Sequence, residues 1–477
     1  MTIDIKENET LEKPKPPKNK FKIDTSDKKP KKKNKLGLII LIILVLGIFG
    51  AIGFLIYKGY IFTKDIGLNI KAGDIIAPQK DPELKRDSSG KYTNILIIGV
   101  DTRESGALLN TDTLILASYN YETNNIVMVS IPRDFNVEIN GTGWYNRINS
   151  VYASAEKKAE GSGFEALMET VTEVTDQEVQ YYAMINFQAF VDIVDAVGGV
   201  DINVENSFLD YRYPDGYGYK TISFEAGPQT MDGQTALEYA RSRKSLQNNE
   251  GSDYARAKRQ QKVIVALQEK IMSSETLINP QKLMEIFSSI AKNVKVSQFT
   301  LNDIQAGINI GKNYSENNGK NYSFVLDPAA GNYGLIQVKI GENGQYGIIP
   351  KLGLGKYTNI HKYTNNVILY PHIYTEDAKT YVYNTGLGYS ETLAKTNSLK
   401  EKYPYLKITF KGNLYSNKSG SVIYSHTDSM YSKTVQLFGE YLNITDNTKP
   451  EYVTTNLNGE DVTILMGKPI QLDQTTN

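Results

Sequence analysis

Asn94-Ile-Leu-Ile-Ile-Gly-Val100, Thr113-Leu-Ile-Leu-Ala-Ser-Tyr119 and Asn125-Ile-Val-Met-Val-Ser-Ile131 are three short apolar runs, each bounded by polar residues. Runs of this kind read as strands, and the polar connector Asn120–Asn124 predicts a hairpin between the second and third. If the first two strands are also antiparallel, Asp101, Asp112 and Arg133 emerge at one sheet edge. A ligand site outside strand ends is the common arrangement in open α/β sheets. Two carboxylates there would hold one Mg²⁺, with Arg133 on an opposing phosphate; the competing reading treats them as ordinary turn residues, since Asp is frequent at strand ends.

Further along, residues 239–261 read Tyr-Ala-Arg-Ser-Arg-Lys-Ser-Leu-Gln-Asn-Asn-Glu-Gly-Ser-Asp-Tyr-Ala-Arg-Ala-Lys-Arg-Gln-Gln. Arg241 and Arg243 alternate, so on an extended segment both point to one side. Asp253, Arg256 and Gln260 recur at helical spacing, and their face continues as Val263, Ile264 and Leu267. A polar trio that prolongs an apolar stripe points into a pocket. Guanidinium forks gathered there fit phosphate oxygens. The alternative is a solvated basic helix carrying surface ion pairs.

Residues 36–57 contain no charge, and 22 residues at helical rise reach roughly 33 Å, enough to cross a bilayer. Lys28, Lys29, Lys31, Lys32, Lys33 and Lys35 crowd one flank and place it in the cytoplasm. The run is too long and begins too late for a cleavable signal peptide. A nuclear-localisation reading of the lysines loses to the adjacent span. The expected layout is a cytoplasmic tail over 1–35, a span over 36–57, a linker over 58–88 and a large exterior.

There is no Cys, which excludes disulfides and thiolate metal sites and suits a Gram-positive bacterial surface. Formal net charge is zero, so no global pull toward nucleic acid exists and none is expected as a partner. All three His (His361, His372, His426) lie past residue 360, which removes His-based triads, bases and metal ligands from the centre. What remains is carboxylate, guanidinium, ammonium and hydroxyl chemistry. That combination suits phosphoryl transfer with a hard cation.

These residues fall into motifs in a fixed order. Gly99-Val-Asp101-Thr-Arg103, Thr111-Asp112-Thr, Ser130-Ile-Pro-Arg133-Asp134, Arg147-Ile-Asn149-Ser-Val-Tyr152 and Asp195-Ala-Val-Gly198-Gly199 come first. Gly227 through Arg243, Asp253-Tyr-Ala-Arg256-Ala-Lys-Arg259-Gln260, Leu326-Asp-Pro and Gly331-Asn-Tyr-Gly follow. Over roughly 89–345 the chain resembles the LytR–CpsA–Psr family, membrane-anchored phosphotransferases that attach polyprenyl-linked glycopolymers to Gram-positive cell walls. The resemblance implies an α/β fold, a central mixed β-sheet flanked by helices, over 89–350. It makes Asp101 and Asp112 the Mg²⁺ ligands and Asp101, Arg133, Arg241 and Arg243 the catalytic set. Arg103, Arg133, Arg241, Arg243, Asp253, Arg256 and Gln260 become the substrate-binding set. Its partners would be a polyprenyl-pyrophosphate-linked glycopolymer (teichoic acid, capsule or related), peptidoglycan and the cell membrane. Asn110 stands where a basic residue is usual, which removes one expected cationic contact. Arg147 stands where Lys is common and keeps the charge.

Residues 371–465, with Val382-Tyr-Asn384-Thr-Gly386-Leu-Gly388, Leu393-Ala394, Gly412-Asn413 and Val422-Ile-Tyr424, resemble a LytR C-terminal-like domain, a small α/β module. Gly353-Leu-Gly355-Lys356-Tyr-Thr358 lacks the spacing and the hydroxyl after Lys that a phosphate loop needs. Tyr374, Tyr381, Tyr383 and Tyr389 would stack on sugars or, more simply, pack in strands. The apolar helical stretches Phe164–Val174 and Phe187–Val197 would be a lipid tunnel or core; the sequence leaves both open. Three function classes follow: a glycopolymer transferase, a non-catalytic binder of lipid-linked precursors, and an envelope regulator or transcriptional attenuator. The attenuator fits the topology poorly, because only the Lys-rich tail would meet DNA.

Overall fold

A computed structural model describes residues 82–100, 110–139, 141–216, 218–273, 294–297, 301–326, 334–340, 346–427, 429–453 and 459–469. The expected span over 36–57, the lysine tail, Asp101 and Arg103 lie outside the described residues. No helix among the described residues is long and apolar enough to cross a membrane.

The three apolar runs become β1 (Tyr92–Val100), β2 (Thr111–Asn120) and β3 (Ile126–Ser130). Both pairs are antiparallel, with Leu96 opposite Leu116 and Ala117 opposite Met128. The hairpin at Asn120–Asn124 forms as expected: Asn120 Oδ1 accepts from the amides of Glu122 and Thr123, and Asn124 adopts φ 56°. After β3 come a small hairpin, β4 (Asn136–Glu138) with β5 (Tyr145–Arg147), and then α1 (Val151–Lys158) and α2 (Gly163–Thr175). β6 (Tyr181–Asn186) joins β1 in parallel and leads directly into α3 (Phe187–Ala196), capped by the Asn186 side chain on the Ala189 amide.

Next follow β7 (Val200–Val204), β8 (Phe208–Asp215), β9 (Gly218–Phe224), β10 (Gly227–Met231), α4 (Gly233–Arg241) and α5 (Asp253–Ser273). β11 (Val294–Val296), α6 (Leu301–Glu316) and β12 (Asn321–Val325) complete a six-stranded mixed sheet ordered β11-β6-β1-β2-β3-β12. Its central strands β1, β2 and β3 are buried on both faces. Period-two alternation sends Ile95, Ile97, Ile115 and Ala117 toward α3, α4 and α5. The intervening Leu96, Ile98, Leu114 and Leu116 pack toward α1 and α2. This is the α/β fold expected.

The chain continues through the hairpin β13 (Ile336–Ile340) and β14 (Tyr346–Pro350), then α7 (Thr358–Leu369) and α8 (Pro371–Glu376). The C-terminal α/β region contains β15 (Thr380–Asn384), α9 (Tyr389–Lys402), β16 (Ile408–Asn413), β17 (Val422–Ser425), α10 (Ser432–Leu442) and β18 (Val462–Met466). Its four strands run in the order β16-β15-β18-β17. Tyr383 is buried on β15, as the strand reading anticipates, whereas Tyr374 is buried on α8 and Tyr389, at the start of α9, stays exposed while meeting Phe410 edge-on at 5.0 Å. At the other end, Leu84 is buried and Lys85 donates its amide to the Tyr181 hydroxyl. Residues ahead of β1 are thus part of the packed region.

Candidate functional site

Antiparallel pairing brings the start of β2 and the end of β3 to one sheet edge. There Nη1 of Arg133 donates to Oδ1 of Asp112 at 2.6 Å. Arg133 Nε also lies 3.7 Å from Asp134 Oδ2, and Arg147 of β5 reaches Asp134 Oδ1 at 3.2 Å. Burial opposes the charge on Arg133, but Asp112, Asp134 and Asp253 outweigh it and hold its proton more tightly than usual. Asp134 was not among the expected site residues. Its place beside Arg133 in sequence is the signal that would have found it.

The helix expected at Asp253 is α5, and Arg256 lies in its first turns. Its Nη1 contacts Asp253 Oδ1 at 2.8 Å, while its buried Nε has no hydrogen-bond partner among the described residues. Burial lowers the proton affinity of Arg256; Asp253 opposes this, and the like charges of Arg133 and Arg243 lower it further. Three guanidiniums therefore share one electrostatic neighbourhood. One turn on, Gln260 Nε2 donates to Thr113 Oγ1 at 2.9 Å. Gly99 makes that contact possible: a Cβ there would stand 2.9 Å from the Thr113 Cβ, so β1 could not approach β2 so closely.

Arg241 and Arg243 require a correction. They do not share an extended segment, because Arg241 is the last residue of α4. Asp232 caps that helix on the Thr235 amide, and its stripe of Ala236, Leu237 and Ala240 is buried, so the helical period wins up to residue 241. Ser242 (φ −54°, ψ 136°) then turns the chain. Ser242 is buried between the two half-buried arginines. Arg241 stacks over Phe187 at 3.9 Å and donates to the Tyr213 hydroxyl at 3.3 Å.

Two residues that sequence reasoning missed fix this turn. Asp210 of β8 is buried and accepts from the Ser242 hydroxyl at 2.7 Å and from the amides of Arg243 and Lys244 at 3.2 and 3.1 Å. Burial alone would raise its pKa, but these bonds and one from the Arg212 amide hold it below the usual 3.8. Arg259, buried on α5, donates to the carbonyls of Tyr239, Glu250 and Ser242 and pairs with the Glu250 carboxylate. All these partners are internal. Asp210 gives no local sign of this role, because the turn it holds lies some thirty positions away.

Beside Arg241 and Gln260 a narrow apolar cleft of about 100 Å³ runs between the sheet and α3, α4 and α5, lined by Ile97, Phe187, Phe190, Leu237 and Ile264. This separates the two apolar helices that the sequence left open. α3 lines the cleft, whereas α2 buries Leu167, Val171 and Val174 in the core on the opposite face of the sheet.

For a metal, the described residues contain no cluster of three or more His, Cys, Asp or Glu. Mg²⁺ asks for less: one or two carboxylates, with water and substrate phosphate completing its octahedron. Asp112, partly exposed and paired with Arg133 through Oδ1, is a carboxylate of that type; Asp101, its expected companion, lies outside the described residues.

The LytR_cpsA_psr family profile matches residues 63–328. A polyisoprenyl-teichoic acid–peptidoglycan teichoic acid transferase of Oceanobacillus iheyensis is 33% identical over 242 residues, covering 50% of this chain and 67% of that protein. The protein of the same name from Bacillus subtilis is 33% identical over 219 residues, covering 46% and 64%. Biofilm regulatory protein A of Streptococcus mutans is 29% identical over 305 residues, covering 61% and 71%. Among solved structures, B. subtilis TagV aligns with TM-score 0.43 and 24% identity over 58% of this chain and 95% of that one. Streptococcus agalactiae gbs0355 aligns with TM-score 0.46 and 25% identity over 59% and 90%.

Proposed function

The chain belongs to the LytR_cpsA_psr family, and from that premise we propose that it is a membrane-anchored transferase moving a polyprenyl-pyrophosphate-linked glycopolymer onto peptidoglycan. The observation that carries this reading is the gathering of Arg133, Arg243 and Arg256, the last with a buried nitrogen that has no hydrogen-bond partner among the described residues, with Arg241 lining an apolar cleft. Clustered guanidiniums suit a diphosphate, and the cleft suits the first isoprene units of its lipid. The related proteins named as teichoic acid transferases support this donor and acceptor.

In the proposed reaction an acceptor sugar hydroxyl attacks the phosphorus that bears the glycan. A new P–O bond forms as the bond to the bridging oxygen breaks, polyprenyl phosphate departs with the electron pair, and one proton is released. Arg133, Arg243 and Arg256 bind the diphosphate and stabilise charge developing on the departing phosphate, a mainly electrostatic contribution. Arg241, braced by Phe187 and Tyr213, orients the lipid side of the headgroup. Asp253 and Asp112 orient Arg256 and Arg133. Gln260 supports the headgroup. Arg103 joins the same set in this proposal, and Asp101 and Asp112 would hold Mg²⁺. When bound, the ion neutralises diphosphate charge.

At about 100 Å³ the cleft is smaller than the roughly 150 Å³ that admits one benzene, so the polyprenyl chain requires it to widen. The test is transfer of label from a lipid-pyrophosphate glycan to peptidoglycan by the full chain with Mg²⁺. Label moving to peptidoglycan, lost in chelator and in Asp101→Asn and Asp112→Asn variants, is the expected result. Tight donor binding with no transfer would favour the rival, a non-catalytic binder or envelope regulator. The Asp112–Arg133 ion pair is the observation on that rival's side.

A further inference from the structure

The first turns of α5 form a wall between two spaces. Asp253, Arg256 and Gln260 face the arginines. Tyr254, Lys258 and Lys262 recur every fourth residue on another face, and that face lines an open groove of about 980 Å³. The far side of the groove is the loop from Ser245 to Ser252, with the end of β7 and Val338 of β13 closing it. The same β13–β14 hairpin also touches the arginine site, because the Ile348 amide donates to the Asp134 carbonyl at 3.1 Å. One hairpin therefore borders both the groove and the arginine site. Its loop is pre-shaped: Gly251 packs so tightly on the Ser245 carbonyl that any Cβ there would overlap it, and Asn248 ties back to the Ser207 carbonyl at 2.6 Å.

The lining is chemically mixed. Asn206, Asn248 and Asn249 supply carboxamides, and Ser245 and Ser252 supply hydroxyls. Leu246 stands 96% exposed at the rim and Val338 48%, apolar surface left facing water. Two of the three cations are already answered, Arg259 by Glu250 and Lys262 by Glu205 at 2.6 Å. Lys258 is exposed on the same face. Such a surface is too evenly charged to hold a phosphate-rich polymer, which needs a run of cations. It matches a strand with isolated carboxylates, many amides and hydroxyls, and small apolar faces.

We propose that this groove seats the acceptor, an N-acetylated glycan strand bearing short acidic peptides, and presents its sugar hydroxyl past the N-terminus of α5 to the diphosphate; the assignment rests on the transferase reading above. Carboxamides and hydroxyls meet the N-acetyl and hydroxyl groups, Leu246 and Val338 cover sugar faces and acetyl methyls, and Lys258 pairs with a peptide carboxylate. The volume lies within the range of roughly 300–1,000 Å³ typical of small-ligand sites, enough for a few sugar units.

The test uses Leu246→Asp with Lys258→Glu in the full chain, two exposed positions outside the arginine set. Co-sedimentation with purified peptidoglycan stripped of glycopolymer reads acceptor binding directly, whether or not transfer occurs. Donor affinity for a lipid-pyrophosphate glycan and thermal stability are measured on the same samples. The expected outcome is acceptor binding weaker by about tenfold, in line with losing a charge pair and an apolar anchor, with donor affinity and melting temperature unchanged. In turnover the acceptor KM rises while kcat and the donor KM hold. Unchanged acceptor binding overturns the proposal. So does a loss of donor affinity in these variants, which would assign the groove to the donor's own polymer. If the wild type binds both substrates yet transfers nothing, the transferase reading fails while the groove remains judged by the binding data.

Discussion

Two arginines on one helix, three positions apart, are expected to behave in opposite ways. Arg259 is enclosed by backbone carbonyls of Tyr239, Glu250 and Ser242 and by the Glu250 carboxylate. Arg259→Ala strands all of these, and denaturant unfolding should report a loss of about 3–5 kcal/mol. Arg256 offers a buried nitrogen with no described partner, so Arg256→Ala should weaken lipid-pyrophosphate binding by roughly ten- to a hundredfold in a folded protein. Lys at position 256 should recover only part of that, since an ammonium cannot reproduce a planar fork. Wild-type affinity in folded Arg256→Ala would remove it from the site. Asp210 gives a pH signature. Its folded pKa sits below the usual 3.8, so its stabilising contribution is complete above that value and is lost as pH falls through the lower folded one. Urea midpoints measured from pH 5 down to pH 2 should therefore drop less steeply in Asp210→Asn than in the wild type.

At the scale of elements, α3 packs into the core through Ala189 and Val194 and borders the cleft with its aromatic residues. Phe187 carries the Arg241 guanidinium, and Phe190 lines the cleft. Phe190→Trp adds bulk at a half-buried position, where strain can be relieved outward. It should raise the KM for a long polyprenyl donor severalfold while sparing a two-isoprene analogue; equal effects on both would mean the lipid lies elsewhere. Several of these elements were legible. Apolar runs, the Asn120–Asn124 connector and the Asp253 spacing announced β1, β2, β3 and α5 because each is a local pattern. What stayed hidden depends on distant partners. Nothing in residues 239–243 told that α4 would run through Arg241, since Asp210 pulls Ser242 inward from another hairpin. Helical spacing sets Arg256 apart from Arg259, but it does not reveal that Arg259 is buried too and held by internal partners. The choice between tunnel and core for α2 and α3 likewise waits on which sheet face each helix covers.

For the whole molecule, the proposed orientation puts the lysine tail inside and everything beyond about residue 60 outside. Protease added to wall-stripped cells should then remove the large exterior and spare the tail; a protected exterior would reverse the orientation. Within the described fold, the C-terminal α/β region is not a loosely tethered appendage. α7 lies against α2, where the His361 ring meets the Glu173 carbonyl at 2.8 Å and Asn365 donates to Asp176 Oδ2 at 3.0 Å. Ile360 and Val367 of α7 share a buried cluster with Val171 and Val174 on one side and Val382 and Ile464 on the other. α8 then supplies Glu376, whose carboxylate takes the amides of Lys433 and Thr434 at the start of α10, at 3.0 and 2.7 Å. Apolar contact is thus continuous from the central sheet to the last strand, so the two halves should stabilise each other. Ending the chain after Pro350 strips the cover from α2, exposes Val171 and Val174, and should lower the melting temperature and induce binding of a hydrophobic dye. Asn365→Ala with His361→Ala removes only the polar seam and should cost far less. A truncated protein that melts at the wild-type temperature without binding dye would establish instead that residues 82–350 are self-sufficient.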